Sequence, residues 1–175
     1  PEMRSTGEVL GLASTFGEAY FKAQEAAQQT LPLEGAVLIT VAERDRPAVV
    51  EVARQFAELG FNILATEGTA ACLAQHGISA RRVLKMHEGR PHIVDLLKSR
   101  EIQLIINTPA GKQSQYDDSY IRKNAIKHKI PYITTLAGAM AAAKGIAARR
   151  TAGLAPVKAL QDYHAEIRHL AAAVG

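Results

Sequence analysis

Two hydrophobic periods alternate along this chain. Short apolar runs, typical of strands covered on both faces, predict strands at 37–41, 61–65 and 102–106. A further short strand is predicted within 78–84, and 131–135 resembles a last strand. Apolar residues at three- and four-residue spacings predict helices at 14–30, 45–60, 69–76, 91–98, 116–129, 137–148 and 156–170. Strands and helices that alternate at these lengths form βαβ units. The pattern therefore predicts a three-layer α/β/α fold with a mostly parallel, five-stranded sheet.

The hydrophobic pattern changes from helical spacing to an apolar run at the first predicted strand. Pro32 and Gly35 end the first predicted helix, and the apolar run follows directly. Residues 1–35 are therefore predicted to be a preceding segment with a linker helix, and residues 36–175 the main domain. The first helix of that domain is expected to use Asp45 as its N-cap. A chain that starts on Pro1 also suggests a piece of a longer protein.

Composition narrows the class of protein without naming a function. Hydrophobic residues make up 47% of the chain and charged residues 22%, which excludes wholesale disorder and collagen-like or coiled-coil design. Charged residues interrupt every apolar run before it reaches the roughly 20 residues that a membrane helix needs. The single cysteine, Cys72, cannot form an internal disulfide, so a reducing, cytoplasmic setting is expected.

The charge balance favours an anionic partner. Lys and Arg number 21 against 17 Asp and Glu, which gives a formal net charge of +4. A stacking surface for single-stranded nucleic acid needs aromatic side chains, and this chain has no Trp and only 5% aromatic residues. We therefore expect no nucleic-acid partner.

The first candidate site follows the predicted strand 61–65. Thr66-Glu67-Gly68-Thr69 places two hydroxyls around a glycine at the start of a helix. Gly68 would let the backbone approach an oxyanion, and Thr66 and Thr69 could donate side-chain hydrogen bonds. The alternative is that Thr69 merely caps its helix. Spacing alone does not separate the two.

A second polar turn, 107–112, follows the predicted strand 102–106. Asn107 could hydrogen-bond to a ligand, with Thr108 beside it, and Lys112 could meet a phosphate; the alternative is that Asn107 bonds its own backbone. Arg46 and Lys85 also follow predicted strands. Because the carboxyl ends of parallel strands share one edge of a sheet, these groups together predict a bound phosphate.

Two further groups of polar residues have simpler explanations. His92 and Asp95, with His87 nearby, would make a poor metal site, and hydrogen bonding to the backbone is the commoner role, so no metal is predicted. Tyr132 and Thr134 could form a second polar pocket with Thr135, or these residues could cap the next helix. No nucleophile–base motif and no Walker motif occurs, so no catalytic residue is predicted.

The order of the motifs resembles one family. The matching stretches are Ala-Thr-Glu-Gly-Thr-Ala at 65–70, Lys-Met-His-Glu-Gly-Arg-Pro-His-Ile at 85–93, Ile-Ile-Asn-Thr at 105–108 and Tyr-Ile-Thr-Thr at 132–135. They resemble the C-terminal allosteric domain of the large subunit of carbamoyl-phosphate synthase, which has a methylglyoxal-synthase-like fold. Residues 1–11 look like the end of the ATP-grasp synthetase unit that precedes that domain.

The resemblance implies a non-catalytic regulatory domain without a cofactor of its own. The parent enzyme would make carbamoyl phosphate from bicarbonate, glutamine-derived ammonia and two ATP, with Mg or Mn, for pyrimidine and arginine synthesis in the cytoplasm. Its synthetase units and a glutaminase small subunit would be the protein partners. UMP or IMP would bind one overlapping site in the domain, and ornithine would act at its boundary. Which effector acts, the sign of its effect and any self-association are left open.

Carried over by position, the effector phosphate would meet Arg46, Thr66, Gly68, Thr69 and Lys85, with Lys112 as an addition. Asn107 and Thr108 would line the base and ribose part of the same pocket, and Tyr132 and Thr134 would belong to the ornithine region.

Three positions depart from the family pattern. Arg46 stands where Lys is common, Pro109 replaces a hydroxyl residue, and Ile133 replaces the acidic residue of ornithine-responsive relatives. The last change predicts a weak response to ornithine. The alternative function is a free-standing lyase of the methylglyoxal-synthase type acting on a triose phosphate; the lack of an acid next to Asn107 and Thr108 in the sequence counts against it.

Overall fold

The structure is a computed structural model that describes residues 8–109, 115–153 and 158–174. Its strands form one five-stranded sheet in which every pairing is parallel, in the order β3-β2-β1-β4-β5. The strands are β1 (Ala36–Thr40), β2 (Asn62–Ala65), β3 (Arg81–Arg82), β4 (Leu104–Asn107) and β5 (Tyr132–Ile133). The predicted five-stranded, mostly parallel sheet is confirmed.

The helices connect and cover these strands. Within the described residues they are α1 (Phe16–Ala26), α2 (Arg46–Glu58), α3 (Glu67–Gln75), α4 (Ile93–Lys98), α5 (Gln115–Lys127), α6 (Leu136–Ala152) and α7 (Leu160–Val174). A 3-10 turn, Glu43–Asp45, leads into α2. No helix in this part of the chain is long and apolar enough to cross a membrane.

The core has two halves, one on each face of the sheet. Val37 and Ile39 of β1 pack with residues of α2 and α6, whereas Leu38 packs on the opposite face with residues of α4 and α5. All three side chains are fully buried because β1 is the central strand. This alternation confirms the three-layer arrangement.

Helix α1 belongs to one of the outer layers. Phe21 is buried in the same core half as α6, and a Cβ at Gly17 would lie 2.7 Å from the carbonyl oxygen of Lys144. Only glycine permits this close approach of the two helices. The predicted boundary at residue 35 therefore separates segments that pack together, and the assignment of 1–35 to a preceding unit stays a prediction.

Several predicted elements are shorter in the structure because tertiary contacts override local pattern. The strand predicted at 131–135 is only Tyr132–Ile133, whereas the short strand predicted within 78–84 is present as Arg81–Arg82, an exposed edge strand. The helix predicted at 91–98 begins at Ile93, since His92 is its N-cap.

Thr135 caps α6 by accepting from the Gly138 backbone N–H, as the simpler alternative predicted.

His92 and Asp95 form a capping box rather than an isolated pair. The Asp95 backbone N–H donates to Nδ1 of His92 at 3.4 Å, and the His92 backbone N–H donates to Oδ2 of Asp95 at 3.2 Å. This confirms the hydrogen-bonding explanation for these residues. The bond from the His92 backbone lowers the pKa of Asp95 below its ordinary 3.8.

A carboxyl pKa that is lower in the folded protein makes stability depend on pH. The stabilisation from Asp95 is complete above 3.8 and is lost as the pH falls through the lowered pKa. We therefore expect Asp95→Asn to lower the free energy of unfolding at neutral pH, and the difference from the unaltered protein to shrink in acid. Urea unfolding at several pH values measures this; a difference that does not change with pH would contradict it.

Candidate functional site

A cavity of about 320 Å³ opens where β1, β2 and β4 end. Seven of the predicted site residues line it: Arg46, Thr66, Gly68, Thr69, Lys85, Asn107 and Thr108. They come from four separate turns, which the parallel sheet brings to one edge. Lys112 lies outside the described residues, and Tyr132 and Thr134 line a neighbouring pocket.

Arg46 and Gly68 meet at one end of the cavity. Gly68 is the second residue of α3, and a Cβ there would clash with the guanidinium of Arg46. The Nε atom of Arg46 is buried and has no hydrogen-bond partner among the described residues. A buried, unpaired donor is costly, so this nitrogen marks a place where an acceptor is expected.

The two threonines of the turn connect α3 to β1. The Thr66 hydroxyl lies 3.2 Å from that of Thr40, and the Val41 backbone N–H donates to Oγ1 of Thr69 at 3.4 Å. Thr69 is the third residue of α3 and not its cap, so the capping alternative is wrong.

Lys85 lies on the exposed side of the cavity. Its backbone N–H donates to a carboxylate oxygen of Glu88 at 2.9 Å, which holds the turn that carries it. The side chain thus stands at the rim, where a Lys ammonium can follow a mobile anion.

Asn107 lines the cavity from the end of β4 and is 3% exposed. Its amide nitrogen donates to Oδ1 of Asp118 at 3.0 Å and to the hydroxyl of Tyr132 at 2.5 Å. The alternative that Asn107 bonds its own backbone is therefore wrong. Both amide hydrogens are used, so the amide oxygen is the group that Asn107 offers to a ligand.

The Asp45 side chain does not cap α2, contrary to the prediction. It occupies the N-cap position of α2, yet its side chain makes no capping bond. Its Oδ2 accepts instead from the hydroxyl of Thr108 at 2.6 Å, and that hydroxyl accepts from the Ala42 backbone N–H at 3.0 Å. Thr108 thus lines the cavity with its donor already engaged.

Acidic side chains also line the cavity, and sequence reasoning missed their arrangement. Glu43, Glu67 and Glu88 line it near Arg46, Gly68 and Lys85, and Asp118 of α5 lies beside Asn107. Glu43 pairs with Arg46 at 3.5 Å, and Glu67 pairs with Arg82. The expectation that no acid lies next to Asn107 and Thr108 is wrong in space, because Asp118 and Asp45 approach from other elements.

The neighbouring pocket, about 210 Å³, shares Asn107 and Asp118 with the first. Tyr132 and Thr134 line it as predicted, and burial raises the pKa of Tyr132, so its phenol stays neutral at physiological pH. Ile133 packs instead against the apolar core. The weak response to ornithine stays a prediction.

A larger groove, about 850 Å³, opens at the opposite ends of β1 and β2. It contains none of the predicted site residues. Its two arginines, Arg54 and Arg81, are paired with Glu51 and Glu101. The smaller cavity is the better candidate, because helix N-termini and an unpaired donor converge only there within the described residues.

Comparison with known proteins identifies the family. The model of the MGS-like domain matches residues 48–134, a range that contains the turns after β2 and β4. The chain belongs to the MGS-like domain family. The predicted resemblance is confirmed at this level.

Relatives of this MGS-like chain are large chains of one enzyme. It is 49% identical over 168 residues to the carbamoyl phosphate synthase large chain of Gemmatimonas aurantiaca, covering 96% of this chain and 15% of that protein. It is 52% identical over 165 residues to the carbamoyl phosphate synthase large chain, C-terminal section, of Methanopyrus kandleri, covering 94% and 30%. The chain thus spans less than a third of the length of these relatives.

A solved structure supports the MGS-like fold independently. Methylglyoxal synthase from Elizabethkingia anophelis NUHP1 matches with a TM-score of 0.53 at 16% identity, over 63% of this chain and 77% of that one. At this identity the likeness establishes the fold alone.

Proposed function

We propose that this MGS-like domain is the regulatory, effector-binding part of a carbamoyl-phosphate synthase large chain, and that the cavity binds a nucleoside monophosphate such as UMP or IMP. One observation carries the proposal: the buried Nε of Arg46, beside the N-terminus of α3, has no hydrogen-bond partner in the part of the chain that the structure describes. A phosphate oxygen is the acceptor that suits this place, because free backbone N–H groups and a partial positive charge converge there.

The phosphate end offers donors of three kinds. The Arg46 guanidinium and the Lys85 ammonium supply charge, the Thr66 and Thr69 hydroxyls supply neutral donors, and Gly68 leaves room for the phosphate to approach the backbone. The acidic residues beside them, Glu43 and Glu67, leave little cationic surface for further phosphates. The chemistry favours a single phosphate group.

The part of the cavity at the end of β4 offers acceptors. The Asn107 amide oxygen and the Asp118 carboxylate would accept from ribose hydroxyls or base N–H groups. Met86, Ile93 and Ile121 add apolar surface to the same lining. A cavity that combines a phosphate site, hydrogen-bond acceptors and apolar wall suits a nucleotide.

Regulation would follow from contact with the rest of the large chain. An effector shifts an equilibrium only by as much as its affinity differs between the two states. We propose that the bound nucleotide changes how this domain contacts the synthetase units, where ATP with Mg or Mn would react in the cytoplasm. The glutaminase small subunit would be a partner of that assembly and not of the cavity.

A second candidate function has one observation in its favour. The Asp118 and Glu43 carboxylates line a cavity with a phosphate end, which is the arrangement that a triose-phosphate lyase needs. The nucleotide is preferred because one oxygen of Asp118 already accepts from the Asn107 amide, which fixes this side chain as a hydrogen-bond acceptor in the cavity wall.

Turnover separates the two candidates. Incubated with dihydroxyacetone phosphate, the chain is expected to release no more inorganic phosphate than a matched sample of Asp118→Asn, while UMP or IMP still binds to the unaltered protein. Phosphate release that is lost in Asp118→Asn would overturn the regulatory proposal in favour of the lyase.

A further inference from the structure

We propose that Asp45 is a positioning residue for the effector site: it fastens the 42–46 turn to the end of β4 and thereby aims Arg46 into the cavity. The inference rests on the proposed phosphate site. It assigns a role to a side chain that does not appear among the cavity-lining residues.

The hydrogen bonds around Asp45 link two turns. The Thr108 hydroxyl donates to Oδ2 of Asp45 at 2.6 Å and accepts from the Ala42 backbone N–H at 3.0 Å. A short hydrogen bond to a carboxylate is among the stronger ones in proteins. Thr108 is 5% exposed, so water competes little for this bond.

The side chain of Asp45 gives up another role to make this bond. Asp is among the best N-cap residues, and Asp45 sits at the N-cap position of α2, yet no backbone N–H of α2 donates to it. The backbone explains why: Asp45 ends the 3-10 turn in the right-handed helical region, whereas a capping residue is extended, and Pro47 at the second position of α2 has no N–H to donate. The Asp45 carboxylate is therefore available to accept from Thr108.

Arg46 is the residue that this linkage controls most directly. It follows Asp45 in the chain and is the first residue of α2. The contacts of its own guanidinium are weak, since Glu43 is 3.5 Å away and its side chain is 88% exposed. The backbone turn must therefore set the direction of the side chain, which packs over Gly68.

A second link runs between the same two turns. Nη2 of Arg44 donates to the carbonyl oxygen of Pro109 at 3.4 Å, and its Nε lies 3.8 Å from Oδ1 of Asp45. Arg44 is 74% exposed, so this link contributes less. Asp45 is thus the centre of the connection between β1 and β4 at the cavity mouth.

A double-mutant cycle on the unaltered chain and its variants tests the role. We expect Asp45→Ala to weaken UMP or IMP binding about tenfold, and Asp45→Asn, which keeps an acceptor oxygen, to weaken it less than about threefold. In an Arg46→Ala background, Asp45→Ala should cost less than about twofold. The same fold-loss in both backgrounds, or no loss with Asp45→Ala, would overturn the proposal. Asp162→Ala, an exposed acid on α7, is the matched control.

A measurement without ligand separates this inference from the proposed function. Nuclear relaxation of the Arg46 Nε–H is expected to show a rigid side chain in the unaltered protein and in Asp45→Asn, and a mobile one in Asp45→Ala. Equal mobility in all three would overturn the positioning role even if nucleotide binds; if no nucleotide binds but mobility changes, only the proposed function fails. Should Asp45→Ala fail to fold, Thr108→Val breaks the same bond and is expected to mobilise Arg46 equally.

Discussion

Arg46→Ala is expected to weaken binding of UMP or IMP by about 10- to 100-fold. The loss follows from the removal of a charge-assisted hydrogen bond, worth about 1.5–3 kcal/mol, at a place where the Nε of Arg46 is buried without another partner. The thermal stability of the free protein should change little or rise, because the variant removes an unsatisfied buried donor. Isothermal titration calorimetry and thermal unfolding measure the two quantities.

Arg54→Ala is the matched control for this variant. Arg54 lies on the same helix, is half exposed, pairs with Glu51 and does not line the cavity. It is expected to bind nucleotide as the unaltered protein does. Equal loss in the two variants would show that net charge, and not the position of Arg46, determines affinity.

Gly68→Ala is expected to weaken nucleotide binding by at least about tenfold while the protein folds normally. The added methyl would occupy the space of the Arg46 guanidinium, which is the far end of a flexible side chain and can move away. Arg46 would then no longer point at the phosphate, and the backbone of α3 would be less accessible. Both changes act on the same end of the cavity.

The loss of binding in Gly68→Ala should occur without a loss of stability. Gly68 is in the first turn of α3, where Ala is still a better helix former than Gly, and this gain offsets the cost of displacing Arg46, so the variant should be about as stable as the unaltered protein. A glycine kept at the expense of helix stability indicates a need for space. Gln75→Ala, an exposed change on α3, is the control; unchanged affinity in Gly68→Ala would contradict the phosphate site.

The sheet and one end of the cavity were predictable from the sequence because both depend on local signals. Buried strands appear as apolar runs, and the turns after them carry Thr, Gly and cationic residues in plain order, as at Thr66 to Thr69. Parallel pairing then brings these turns together. Thr40 could have been found by the same rule, since it ends β1 and faces Thr66.

The acidic side chains around the cavity could not be placed from the sequence, because their positions depend on contacts between residues far apart in the chain. Asp118 reaches Asn107 from α5, and Asp45 binds Thr108 across 63 positions. Local propensity indicated a helix cap for Asp45, but its backbone continues the 3-10 turn that precedes α2, and its side chain binds Thr108 instead. The edge strand predicted at 131–135 pairs only over Tyr132–Ile133, because the sequence does not reveal how much of an edge strand pairs.

Calorimetric titration of UMP and IMP into this chain is the direct test of whether the cavity binds a nucleoside monophosphate. Lys85→Ala is the variant, and Lys98→Ala is its control. Lys85 lines the cavity, whereas Lys98 ends α4 and does not. We predict saturable binding of at least one nucleotide. This binding should be retained in Lys98→Ala and weakened about tenfold or more in Lys85→Ala. A folded chain that binds neither nucleotide, or one whose binding is unaffected by Lys85→Ala, would contradict it.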